Sequence, residues 1–267
     1  MPAATADSGM PKKVPGAESS RKLLQLLLSF TVAHPTWTVA ELSDTLGMPQ
    51  SMVYRYVGLL REVGLLDSAG GKSYRVTDLA QSLAEAASVA RAPLAEISLP
   101  FMTAVRDEID ETVLVSRRSG WFSYCVERVE SRQPVRLQFE RGQAMSLHSG
   151  SMSRVLLAAM NESERESYFS RFSDAIDPVR LDRLSNENLD SILKRGYTES
   201  FEEVDAGIWG VAAAITLGDE VVATVGTAAP IYRVDEGQRA RTTELIIDAA
   251  AKISRALAEE SAGSRAR

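Results

Sequence analysis

The sequence predicts an α+β protein of two units joined by a single helix: a small helical head closed by a two-stranded wing, and a larger antiparallel sheet covered by helices. Three observations carry this. Residues 19–78 run in the order helix, helix, tight turn, helix, hairpin. Residues 79–92 (LAQSLAEAASVARA) are alanine-rich and uninterrupted, with Pro93 just beyond. Residues 93–260 place strand patterns near both ends, with helical patterns between and after them. The length of 267 residues allows one large domain or two average ones, and 45% hydrophobic with 25% charged residues is ordinary globular composition.

Residues 1–18, rich in Ala, Pro, Gly and Ser, show no apolar periodicity and predict a flexible tail. From Ser19 the pattern turns helical: Ser19 or Ser20 can cap, and Leu23, Leu24, Leu27 and Leu28 form a stripe that ends near His34-Pro35. Thr38 with Glu41 three residues on is a capping box, opening a short helix to Leu46. Val39, Leu42 and Leu46 are its inner face, and Gly47 stops it. A third helix runs from about Gln50 to Val63, with Val53, Val57 and Leu60 inward and Gly64 as its stop. Leu65-Leu66-Asp67 and Ser73-Tyr74-Arg75-Val76 then flank Ser68-Ala69-Gly70-Gly71, a hairpin signal. This is the order of a winged helix-turn-helix.

Beyond the linker helix, Pro93–Asp110 is amphipathic and helical. Strands are expected at about Thr112–Ser116, Trp121–Val129 and Val135–Phe139, the first two joined at Arg118-Ser119-Gly120. Helices follow at Ser149–Met160, with Ser149 capping, and at Glu162–Arg171 and Leu184–Arg195. Strands at Gly207–Leu217 and Val221–Thr227 flank Gly218-Asp219, and a helix from about Asp235 to Glu260 precedes a tail of residues 261–267.

Composition excludes several classes. No apolar run approaches the roughly 20 residues that span a bilayer, and the N-terminal MPAATADSGMPKK lacks the apolar core of a secretory signal, so the expected compartment is the cytoplasm. Cys125 is the single cysteine, and His34 and His148, the only histidines, lie far apart in sequence. Neither a disulfide framework nor a dedicated zinc or other metal site is expected, nor any cofactor. The net charge of −6 is unevenly spread: residues 10–78 carry eight Lys/Arg against six Asp/Glu, and residues 79–267 carry 22 against 29. No carboxylate pair, phosphate loop or nucleophile–base pair forms a catalytic constellation, so no enzyme is expected. Glu202-Glu203 reads as a pair of rim or subunit-contact charges, His148 as a structural hydrogen-bonder and Cys125 as a buried inert thiol.

The head carries the more specific chemistry. With Val53, Val57 and Leu60 inward, the third helix leaves Gln50, Ser51, Met52, Tyr54 and Arg55 outward at its N-terminal end. Gln50 and Arg55 suit adenine or guanine edges or phosphate, Met52 a thymine methyl, Ser51 and Tyr54 phosphates. Lys72, Tyr74 and Arg75 on the wing suit an adjacent backbone or minor groove. The expected partner is double-stranded operator DNA; the alternative is a protein-interaction scaffold with a solvated polar face.

The run AELSDTLGMPQSMVYRYVGLLREVGLL resembles the isocitrate-lyase-regulator (IclR) family of bacterial transcription regulators, whose pattern there is similar to E-(L/I)-A-x-x-(T/L)-G-(L/M)-P-(K/R)-S-T-x-x-R-L-(L/V)-x-x-L. Ser51 and Arg55 match; Gln50 stands where a basic residue is usual and Met52 where Thr is usual. Val126–Ser131 (VERVES) is similar to the family's D-R-V-E-S, Leu147–Arg154 (LHSGSMSR) to its L-H-A-T-A-x-G-K, Arg195-Gly196-Tyr197 to its R-G-Y, and VGTAAP at 225–230 to its S-(V/I)-S-G-P. The resemblance implies a repressor or activator, with repression the expected sign. It would control a catabolic operon, with a winged helix, a linker helix and a GAF-like effector domain that binds a small organic acid. It also implies a homodimer or dimer of dimers, for which Leu79, Leu83, Ala86, Ala87 and Ala90 form a candidate stripe.

The effector site is expected where a helix opening at Ser149 would aim the N–H groups of Gly150, Ser151 and Met152 at a carboxylate. By position against the family, the remaining wall is Leu137, Met145, Ser200, Ile208, Gly210, Gly226 and Ala228. The family's small-acid sensors often have an acid at the Ser200 position, Cys at Gly210 and serines near Gly226 and Ala228; Trp209 stands where Arg is common. The expected pocket is therefore roomier and less polar, suited to an acid with an apolar or aromatic body.

Overall fold

The computed structural model describes residues 15–31, 34–89 and 93–265, and these divide into two compact units, 15–89 and 93–265. In the first unit, α1 (Glu18–Leu27), α2 (Val39–Leu46) and α3 (Gln50–Glu62) pack around Leu26, Leu42, Val53, Tyr56, Val57 and Leu60. The capping box at the start of α2 is complete: Thr38 Oγ1 accepts from Glu41 N–H at 3.3 Å, and Thr38 N–H donates to the Glu41 carboxylate at 2.8 Å. Gly47 adopts φ +62°, the left-handed turn that lets α3 leave at an angle. Among the described residues the wing has a third strand that periodicity did not announce: β1 (Thr36–Thr38) pairs with β3 (Ser73–Val76), whose other edge takes β2 (Leu66–Gly70). Three residues are too few to establish an alternation; the pairing is tertiary.

Helix α1 departs from its sequence reading. It begins at Glu18 with Ala17 at the cap position and no side-chain cap, and ends at Leu27. Ser19 does not cap; its hydroxyl meets that of Tyr56 at 2.9 Å. Leu24 and Leu28 are exposed, while Leu26 is fully buried with Leu23, Leu27 and Phe30 beside it. Three consecutive leucines at 26–28 allow either flank to turn inward, and packing on Tyr56 and Trp37 selects this one. The expected tail of residues 1–18 lies, up to residue 14, outside the described residues. The linker helix α4 runs Leu79–Val89; residues 90–92, with Ala90 of the candidate stripe, also lie outside them.

In the second unit, the described residues form a six-stranded antiparallel sheet of order β6-β5-β4-β9-β8-β7. Its strands are β4 (Val113–Ser119), β5 (Phe122–Val129), β6 (Ala144–Ser146), β7 (Tyr197–Phe201), β8 (Ile208–Leu217) and β9 (Glu220–Pro230). Helices α5 (Leu94–Ile109) and α9 (Glu236–Arg265) cover one face, burying Val113, Val211, Val225, Ile246 and Ile253. Helices α6 (Ser151–Ala158), α7 (Glu162–Phe172) and α8 (Asn186–Arg195) cover the other, burying Leu114, Leu147, Leu156, Tyr168 and Ala212. Alternation along β8 and β9 feeds the two cores by turns.

Three expectations fail here. Val135–Phe139 is not a strand: the outer edge of β5 is already paired by β6, through Phe122↔Ser146 and Tyr124↔Ala144. The segment is instead pinned irregularly, with Arg136 on Glu130 at 3.0 Å and Thr112 Oγ1 donating to Leu137 O at 3.3 Å. Ser149 does not cap α6; Gly150 occupies the cap position at φ +83°, and the Ser149 hydroxyl donates to Glu203 O at 2.6 Å. Residues 261–265 continue α9 rather than forming a tail.

Candidate nucleic-acid interface and effector cavity

On α3, Gln50, Ser51, Tyr54 and Arg55 stand exposed at the N-terminal end, above a buried face of Val53, Tyr56 and Val57. Pro49 precedes the helix and offers no capping side chain; the Met52 and Val53 amides donate to its carbonyl, so an anion such as phosphate would meet the amides of Gln50 and Ser51. The Arg55 guanidinium lies 5.5 Å from the centre of the Tyr56 ring, which holds its stem against the helix. Met52 is half-buried and packs on the core, so only part of its side chain faces out. Lys72 at the wing tip and Arg75 on β3 are exposed. Tyr74 packs inward on the core with Arg61 5.9 Å over its ring, which makes it wing scaffolding.

In the second unit a cavity of about 470 Å3 opens between α6, the 137–146 segment, β7, the start of β8 and the end of β9. Leu137, Met145, Gly150, Ser151, Met152, Ser200, Ile208, Gly210 and Ala228 all line it. Gly226 does not. It lies behind Met152, where a Cβ would come 2.5 Å from Val211 O and 2.9 Å from Ala212 Cβ. That glycine exists for close approach within the sheet, so it is no part of the wall. The floor at Gly210 carries the hydroxyls of Ser200 and Ser151, 3.1 and 3.2 Å from where a Cβ would sit. The cavity is thus amphipathic: Leu137, Phe139, Met145, Ile208 and Ala228 line it together with serines at the α6 end and with Gln138, Gln143, His148, Glu203 and Asp205.

The helix end differs most from expectation. The Gly150 N–H is not free; it donates to the carboxylate of the chain's own Glu203 at 3.1 Å. Glu203 is buried, and its other oxygen takes Arg154 at 3.0 Å and Arg183 at 3.3 Å. Arg180 donates to the backbone carbonyls of Glu202 and Glu203. Glu203 is therefore an interior counter-ion, not a rim charge. The amides of Ser151 and Met152 come next in the helix, and two guanidinium groups, those of Arg154 and Arg183, share the Glu203 carboxylate.

His148 lines the same cavity, with Nδ1 2.8 Å from the Tyr168 hydroxyl. That hydroxyl already accepts from Leu147 N–H (2.9 Å) and His148 N–H (3.2 Å), so its own proton goes to Nδ1 and leaves Nε2–H as the ring's donor. Burial, with the Arg180 charge behind it, lowers the His148 pKa. Burial pushes the Cys125 thiol up to about 11, as suits an inert side chain. His148, Phe139 and Glu203 were missed as wall residues because the sequence signals only their local roles. Trp209, adjacent to the cavity in sequence, points to the opposite face of the sheet, where it is fully buried with its N–H on Glu199 at 2.7 Å. Among the described residues no group of three or more His, Cys, Asp or Glu side chains is placed to hold a metal, and no helix is long and apolar enough to cross a membrane.

A winged helix presenting a polar face, on the same chain as a ligand-sized cavity, is the arrangement of a DNA-binding regulator with a ligand-binding domain. The comparisons with known proteins agree. The IclR helix-turn-helix domain matches residues 19–70, and the bacterial transcriptional regulator IclR C-terminal domain matches residues 86–255. The chain belongs to the IclR family of DNA-binding transcriptional regulators, which are not enzymes. It is similar to the HTH-type transcriptional regulator KipR of Bacillus subtilis, 29% identical over 241 residues, 86% of this chain and 93% of that protein. It is also similar to the HTH-type transcriptional regulator BhcR of Paracoccus denitrificans, 26% identical over 94% of both chains. Among solved structures, an IclR homolog from Microbacterium hydrocarbonoxydans complexed with 4-hydroxybenzoate superposes with a TM-score of 0.71 at 21% identity, over 90% of this chain and 99% of that one.

Proposed function

We propose that this regulator represses a catabolic operon from the cytoplasm and is released from its operator by an organic acid with an apolar or aromatic body. The amphipathic cavity carries this reading. A volume of about 470 Å3 falls in the range of small-molecule sites, and its lining supplies both apolar side chains and hydroxyl and amide donors. The acid's charged head lies toward Ser151, Met152 and Ser200; its body lies against Leu137, Phe139, Met145, Ile208 and Ala228. The polar atoms converge where a carboxylate or hydroxyl is needed, and a two-carbon keto acid leaves the apolar wall unused. The Microbacterium homolog's 4-hydroxybenzoate has this chemistry and is a natural member of the test panel.

On the DNA side, Gln50 and Arg55 read base edges, Met52 offers its exposed part to a thymine methyl, and Ser51, Tyr54, Lys72 and Arg75 hold phosphates. A single head buries too little surface for tight specific binding, so two copies engage a pseudo-palindromic operator. Among the described residues, the exposed Leu79, Leu83 and Ala86 on α4 belong to the stripe that would pair. Calorimetry on the full chain with aromatic, longer aliphatic and two- to three-carbon acids, followed by gel shift on the upstream DNA of its own operon, tests the reading. It fails if glyoxylate or pyruvate binds while every larger acid is silent.

A further inference from the structure

A second cavity, of about 260 Å3, lies on the face of the sheet opposite the effector cavity, between the ends of β8 and β9 and helices α5 and α9. One carboxylate dominates it. Glu111 is 4% exposed; one of its oxygens accepts from Arg233 at 2.9 Å, and the other is buried without a partner. Burial raises the Glu111 pKa against the pull of Arg233. The remaining charges on the lining are already matched, Arg241 to Glu108 at 2.8 Å, while the second Arg233 nitrogen donates to Val135 O. The unmet demand is therefore for a donor, and an incoming anion would meet Glu111 and Glu108 instead of a free cation. Ile109, Ala229 and Val234 supply the apolar part of the lining, over the fully buried Trp209, whose N–H is committed to Glu199.

We propose that this cavity is a second ligand site, separate from the effector cavity, that takes a small primary ammonium on an apolar body. The ammonium donates to the free oxygen of Glu111, and its apolar body lies against Ile109 and Val234. Occupancy there would be felt across the sheet. Thr227 borders both cavities, and Arg233 holds Val135 in the segment whose Leu137 and Phe139 wall the effector site.

The test is calorimetry on the full chain with benzylammonium chloride, benzyl alcohol and benzoate as probes. One benzylammonium per chain is expected, bound about tenfold or more tighter than benzyl alcohol and not displaced by benzoate. Glu111→Gln lowers its affinity by a similar factor. Thr242→Leu, which narrows the cavity without touching the Glu111–Arg233 pair, does the same and carries the test if Glu111→Gln fails to fold by circular dichroism. The proposal is overturned if folded wild type takes up no benzylammonium at millimolar concentration, if benzyl alcohol binds equally well, if benzoate displaces the ammonium, or if a folded variant binds as wild type does.

Discussion

The head and the sheet domain solve the problem of presenting polar groups in opposite ways. On α3 the outward side chains stand in solvent on consecutive turns of one helix, and Arg55 lies against the ring beside it. Around the effector cavity the polar groups come from segments far apart in the chain and are bound to one another before any ligand arrives: Glu203 to Gly150, Arg154 and Arg183, and His148 to Tyr168. A convex surface of this kind loses affinity when a residue is removed but keeps its fold. A concave, mutually satisfied site couples ligand recognition to the stability of the domain. Substitutions in the two regions should therefore fail in different currencies, and that difference is open to measurement.

The largest effect is expected at Glu203. Glu203→Ala leaves the buried Arg154 guanidinium without its carboxylate, so the sheet domain should lose about 3–5 kcal/mol in chemical denaturation. A loss below 1 kcal/mol would show that the pair contributes little and weaken the contrast. Next comes the pair of substitutions on β9. Gly226→Val should cost about 3 kcal/mol, at the top of the range for overpacking, because its Cβ meets the Val211 carbonyl. Ala228→Leu fills the cavity from its wall and should leave the melting temperature near that of wild type while abolishing effector-dependent release of DNA. Equal thermal stability of the two variants would contradict the placement of Gly226 inside the sheet and Ala228 on the cavity wall.

On the head, Arg55→Ala should cost about 1–3 kcal/mol in specific operator binding with the melting temperature unchanged. Lys72→Ala should weaken operator and random DNA alike and reduce the salt slope by about 1. If Arg55→Ala instead lowers the melting temperature, the head is not the decoupled surface described above. The smallest effect is the titration of His148. Its folded pKa is lowered from 6.5, so the unfolded chain takes up the proton first and the sheet domain loses stability as pH falls below about 6.5. Above that pH the imidazole is neutral in both states and contributes no slope. His148→Gln should flatten the pH dependence between 6.5 and the folded pKa, which thermal melts in a pH series would detect.

The head's architecture was legible because its determinants are local. Thr38 and Glu41 cap each other within one turn, Gly47 supplies the left-handed residue between helices, and the spacing of Val53, Val57 and Leu60 decides which side chains of α3 remain outside. The same local logic placed β8, β9 and α9 to within a few residues at most ends. It misled at Leu23–Leu28, where adjacent leucines fit two helix faces equally, and at Val135–Phe139, where a period of two arose without a neighbouring edge to pair with.

By itself, then, the sequence determined the order of elements and the outward face of α3, since periodicity and caps are written in neighbouring residues, while most of the cavity wall was reached through position against the family. Only the tertiary structure decided that Gly226 sits inside the sheet, that Glu203 fills the end of α6, and that Trp209 turns its ring toward the far face. Each depends on which atoms of remote segments come within a few ångströms, and such contacts leave no periodic trace in the chain: Glu203 and Gly150 are 53 residues apart, yet share a hydrogen bond.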